Sequence, residues 1–163
     1  SVYDYLKKYH NFKGTKAEFW DVRNDFVIHN IYKKTKLLPG VQTCLDKYHG
    51  KLPLALASSS PHDWISIVLD RFDLRTYFQA VVSADDVHGK SKPAPDIFLL
   101  TAEKLNVEPK NCVVLEDSKN GVLSAKAAGM KVYGFRNGFN DEQDLSTADE
   151  IFDDFNTLSL LSY

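Results

Sequence analysis

No apolar run in this 163-residue chain approaches the roughly 20 residues that a membrane-spanning helix requires. Its start, SVYDYLKKYH, has none of the charged, apolar and small-residue succession of a secretory signal, and no initiator methionine. A processed chain, a truncated one or a fragment is therefore expected. Cysteine is scarce: Cys44 and Cys112 stand far apart, with no Cys-x-x-Cys or Cys/His spacing for a zinc site. Cys112 opens an apolar run, so a buried free thiol and a reducing, cytoplasmic setting are expected. The five histidines include no i, i+4 pair. An excess of charge of one sign is missing too. The formal net charge of -2 gives no footing for nucleic acid or an anionic membrane. Length and net charge fit a monomer and leave a dimer open.

What is present is an ordinary globular balance, 44% hydrophobic and 26% charged, enough for one domain with a small appendage. The pattern changes near residue 37. Before it, aromatic and apolar residues recur three and four apart (Tyr9 and Phe12; Phe19, Val22 and Phe26), the mark of amphipathic helices. Thr15 and Glu18 form a capping box for the second. After Leu38-Pro39-Gly40, short apolar runs alternate with helical stretches. Strands are predicted at 53–57, 80–82, 113–115, 131–135 and 150–152, and helices from Ser60, over 95–106 and over 118–128. Ser60 is the expected N-cap, with Pro61 at the first helical position. Continuously apolar strands separated by helices predict an α/β fold, a parallel sheet covered on both faces. The predicted division is residues 1–36 and residues 37–163.

Ligands of such sheets bind beyond the carboxyl ends of the strands. Three polar groups fall there: Ser58-Ser59-Ser60, Lys92, and Glu116-Asp117-Ser118. The Ser58 hydroxyl and the amides of Ser59 and Ser60 suit phosphate oxygens, with His62 facing the same rim. Lys92 supplies a compact positive charge. Glu116 and Asp117 are hard oxygen ligands suited to Mg²⁺. Singly, each group has an ordinary explanation: a helix cap, a solvated lysine, two acids complementing a helix dipole. Their combination points to phosphoryl chemistry, where catalysis is mostly positioning and electrostatics.

Three stretches, Leu-Ala-Ser-Ser-Ser-Pro (56–61), Ser-Lys-Pro-Ala-Pro-Asp-Ile-Phe (91–98) and Val-Leu-Glu-Asp-Ser-Lys-Asn-Gly-Val (114–122), resemble successive motifs of the haloacid dehalogenase (HAD) superfamily, sugar-phosphate phosphatase and β-phosphoglucomutase branch. The likeness covers residues 37–153 well and the start loosely. It implies a Rossmann-like core, with residues 1–36 as part of a helical cap that closes over substrate. It also implies roles. Ser58 would hold the transferring phosphoryl group, and Lys92 would pair with nucleophile and phosphate. Asp117 would bind Mg²⁺, Glu116 would bind it directly or through water, and Ser118 would support them. The implied activity is Mg²⁺-dependent hydrolysis of a small sugar or polyol phosphate through an aspartyl-phosphate. A phosphohexomutase and a non-catalytic phosphate- or Mg²⁺-binding module are the alternatives. Mutases of this branch tend to carry Lys-Asn where this chain has Pro61-His62. The superfamily's first motif, Asp-x-Asp after the central strand, is not found here; Asp85-Asp86 and Asp153-Asp154 have the wrong spacing. The chain alone is thus expected to be inactive, with its nucleophile upstream and its sheet lacking a central strand.

Overall fold

The computed structural model describes residues 2–160. The chain separates into two compact units, Ser1–Lys36 and Leu37–Tyr163. The first holds helices α1 (Val2–Tyr9) and α2 (Lys16–Lys34). The capping box forms as expected: the Thr15 amide donates to Glu18 Oε2 at 2.7 Å and the Glu18 amide to Thr15 Oγ1 at 3.2 Å. Tyr3, Phe12 and Phe19 meet in tilted and edge-on contacts with centroids 5.8–6.1 Å apart. Trp20 lies edge-on to Phe19, with the Arg23 guanidinium 4.9 Å from its ring centroid. Val22 and Phe26, one helical turn apart, remain exposed.

The second unit runs α3 (Val41–Tyr48), β1 (Ala55–Ser58), α4 (His62–Arg71), β2 (Ala80–Ser83), α5 (Asp96–Leu105), β3 (Val113–Glu116), α6 (Lys119–Ala127), β4 (Lys131–Phe135) and β5 (Glu150–Phe152). Every strand pairing is parallel, as the apolar runs predict. Among the described residues the strands form two separate ladders, β1-β2 and β3-β4-β5, with no pairing between β1 and β3.

Alternation along the strands sends successive side chains to opposite faces. Ala57, Val82, Val114 and Val132 pack with Ile97, Phe98 and Ala102 of α5 and Val122 and Ala125 of α6. Leu115 and Tyr133 face the other way, against Cys44 and Tyr48 of α3 and Leu158. Leu56 and Val81 meet Ile65 and Leu69 of α4. Both faces are therefore covered, the condition for continuously apolar parallel strands. The C-terminal stretch is fastened by Tyr48, whose hydroxyl donates to the Leu158 carbonyl at 3.0 Å and accepts from the Leu160 amide at 2.7 Å.

Two local expectations shift. The buried thiol is Cys44, while Cys112 is half-buried, because Val113 and Cys112 enter β3 at its exposed end. Burial pushes both thiols up from their ordinary pKa. Helix α4 begins one residue later than expected, with Pro61 at the cap position and no side-chain cap from Ser60. Its first amide, on His62, instead donates to Asp85 Oδ2 at 3.0 Å, a cap supplied from the turn after β2.

Candidate functional site

The carboxyl ends of β1 and β3 face each other across the interruption in the sheet, and a cavity of about 430 Å³ lies between them. Leu56, Ala57, Leu115, Phe135 and Phe155 form its apolar walls; Ser58, Ser59, Ser60, Lys92, Glu116, Asp117 and Ser118 form its polar rim. All three groups singled out in the sequence thus converge on one space. His62 is not among the lining residues. Its Nε2 stands 3.0 Å from Asp86 Oδ2, since the ring follows its own amide toward the 85–86 turn. The Ser83 amide and His62 together hold the Asp86 carboxyl below its usual range.

Lys92 and Glu116 form an ion pair with side chains only 10% and 9% exposed. The Lys92 ammonium also lies 4.6 Å from the centroid of Phe98. Glu116 Oε1 is taken by Lys92; Oε2 accepts from the Ser118 hydroxyl at 3.0 Å and from the amides of Asp117 and Ser118 at 3.2 and 3.3 Å. Ser118 in turn caps α6, its hydroxyl oxygen accepting from the Gly121 amide at 3.1 Å. The Glu116 carboxylate thus points inward, with both oxygens engaged. Asp117 is exposed, and its Oδ2 accepts from Asn137 Nδ2 at 3.1 Å. Ser58 Oγ accepts from the Ser60 amide at 3.1 Å, and the buried Ser83 hydroxyl donates to the Ser60 carbonyl at 2.8 Å. These bonds fix the turn that follows β1.

The close fit of Glu116 explains a glycine. A Cβ at position 121 would overlap the Glu116 carboxylate. Gly121→Ala gains up to about 1 kcal/mol in helix propensity. It forces Glu116 off its partners, an overpacking cost of typically 1–3 kcal/mol. The expected outcome in urea denaturation is a net loss of stability; a stabilised variant contradicts the reading of Glu116 as a fixed, inward carboxylate.

Sequence reasoning missed Asn137 and Asn140. Asn140 Nδ2 lies 2.8 Å from both the Asp117 and the Phe135 carbonyls. The signal was available: Asn-Gly-Phe-Asn begins two residues after the end of β4, which neighbours β3, so its turn must lie beside Asp117.

A parallel α/β sheet with its polar residues gathered beyond the strand ends defines a ligand-binding protein of the doubly wound kind. The comparisons narrow the class. A profile of the haloacid dehalogenase-like hydrolases matches residues 3–129. The chain is 37% identical over 127 residues to the phosphoglycolate phosphatase of Escherichia coli K12, covering 76% of this chain and 50% of that protein. It is 44% identical over 112 residues to a phosphorylated carbohydrates phosphatase of Thermotoga maritima, covering 68% and 51%. In structure it resembles β-phosphoglucomutase from Clostridium difficile, with a TM-score of 0.80, 28% identity, and 98% and 70% of the two chains covered. This chain belongs to the haloacid dehalogenase-like hydrolase family. It spans about half the length of the curated relatives it matches.

Proposed function

We propose that this chain carries the greater part of the active site of a Mg²⁺-dependent phosphomonoester hydrolase acting on a small sugar or polyol phosphate. The observation that supports this reading is the meeting of Ser58, Lys92, Glu116 and Asp117 around one cavity. Residues 1–36 are then part of a cap that shields the reacting centre from water. The setting proposed is cytoplasmic; no described helix is long and apolar enough to cross a membrane.

The donor set fits magnesium as half of a site. Among the described residues no three His, Cys, Asp or Glu side chains gather. Mg²⁺, however, is commonly held by one or two carboxylates, with waters and substrate phosphate completing six oxygens. Asp117 would hold it directly. Glu116, engaged on both oxygens, would act through water and through Lys92. When bound, the ion neutralises charge on the phosphoryl group. The Ser58 hydroxyl and the Ser59 amide offer hydrogen bonds to phosphoryl oxygens. Lys92, held in place by Glu116, supplies the fixed positive charge. The nucleophile is an aspartate on an extended segment inserted between β1 and β3, beside Lys92. Its oxygen attacks phosphorus, the P–O ester bond breaks, and the alkoxide leaves with a proton from a second acid. Water then releases phosphate from the aspartyl group.

The mutase reading is weakened by His62. A mutase must hold a second phosphate, and among the described lining residues Lys92 is the one cation. The test is Mg²⁺-dependent phosphate release from a panel of phosphorylated metabolites, by the protein extended to include the nucleophile segment. Silence across the panel, or release indifferent to Asp117→Asn, rejects the proposal.

A further inference from the structure

The turn after β4 is more ordered than a surface connection needs to be. The Asn137 side chain works in two directions: its Oδ1 accepts from the Phe139 amide at 2.8 Å, and its Nδ2 donates to Asp117 Oδ2 at 3.1 Å. Asn140 accepts from the Asn137 amide at 3.1 Å and donates to the Asp117 carbonyl at 2.8 Å. Arg136 Nη1 holds the carbonyls of Asn140 and Gln143 at 3.0 and 2.9 Å, and Gln143 Oε1 accepts from the Lys119 amide at 3.0 Å. Every bond in this set either shapes the turn or attaches it to residues 117–119. The turn also walls a second cavity of about 510 Å³, which shares Asp117 and Ser118 with the first.

We infer that Asn137 is a positioning residue for Asp117: the asparagine turn fixes the rotamer of that carboxylate and turns its other oxygen toward the cavity to receive a divalent cation. The inference rests on the metal reading above. An exposed aspartate at the end of a strand has freedom about both side-chain torsions, and freezing it beforehand removes that cost from binding. One oxygen committed to an uncharged amide donor leaves the carboxylate its full charge and one lone-pair set for the metal. Partners of this kind, behind a ligand, typically alter metal affinity by 10–100-fold.

The test separates aiming from turn structure. Asn137→Ser keeps a short oxygen that can accept from the Phe139 amide but is too short to reach Asp117. Mn²⁺, a paramagnetic stand-in for Mg²⁺, is titrated, with inorganic phosphate present at saturation, into the protein extended to include the nucleophile segment, and bound ion is read by electron paramagnetic resonance, with thermal unfolding measured in parallel. In the wild type, Mn²⁺ binding lost in Asp117→Asn is expected. In Asn137→Ser, affinity about tenfold weaker is expected with the melting temperature unchanged. Wild-type affinity in Asn137→Ser overturns the positioning role and leaves the metal reading standing, and a lowered melting temperature with unaltered affinity does the same. Binding indifferent to Asp117→Asn, or none in the wild type, removes the metal reading and this inference with it.

Discussion

Replacing Lys92 with alanine is expected to cost the second unit about 3 kcal/mol or more of stability, a large part of what a domain of this size has to lose. The reason is the Glu116 carboxylate left behind. It is 9% exposed, packed over Gly121, and has its second oxygen engaged by Ser118 and two amides. It therefore cannot swing out to water without breaking the start of α6. Removing one member of a buried pair strands an uncompensated charge and costs about 3–5 kcal/mol, whereas replacing both with neutral groups of similar shape is often nearly neutral. The cavity beside the pair admits water, which argues for the lower end of that range. Lys92→Met with Glu116→Gln should accordingly recover most of the loss. Urea unfolding of the wild type, both single variants and the double variant closes the cycle. Additive losses would show that the two side chains do not depend on each other, and the account of the site as a fixed charge pair would fall.

A protein extended at its N-terminus by the proposed nucleophile segment is expected to melt roughly 10 °C higher than the present chain, from about 3 kcal/mol of added stability. The edges of β1 and β3 not paired with β2 and β4 carry unpaired backbone groups, and Leu56 and Leu115 line the space between them. An inserted strand pairs with both edges at once. Each of its buried apolar side chains contributes about 1.5–3 kcal/mol and each ladder bond about 1 kcal/mol, against an ordering cost of about 1–2 kcal/mol per residue. The balance is favourable by a few kcal/mol because one strand satisfies two edges. Amide exchange in β1 and β3 should slow in parallel, which distinguishes insertion from unrelated stabilisation. Equal melting temperatures with and without the segment would mean that the interruption takes up no strand.

The strands were legible because each is a short run of uniformly apolar residues between polar breaks, and burial on both faces demands that pattern. Helix α6 was legible through Ser118 and its bond to the Gly121 amide, a purely local signal. The start of α4 was not, since its cap comes from Asp85, 23 residues away along the chain. A similar separation hid the true partner of His62, which reads locally as a rim residue and spatially belongs to Asp86. Helix α3 carried a signal in Cys44, Leu45 and Tyr48, spaced one, three and four apart, that its short length obscured. The inward turn of Glu116 depended on having no side chain at Gly121, a contact that spacing in sequence does not announce.

The pairing of Lys92 with Glu116 also sets the electrical character of the cavity. Its ionisable lining comprises Lys92, Glu116 and Asp117, one cation against two anions. A phosphate dianion approaching it alone meets net repulsion, and so does any further carboxylate brought in on a strand. A divalent ion reverses that balance. Anion and cation should therefore raise each other's affinity by the same factor, so that neither is held firmly without the other.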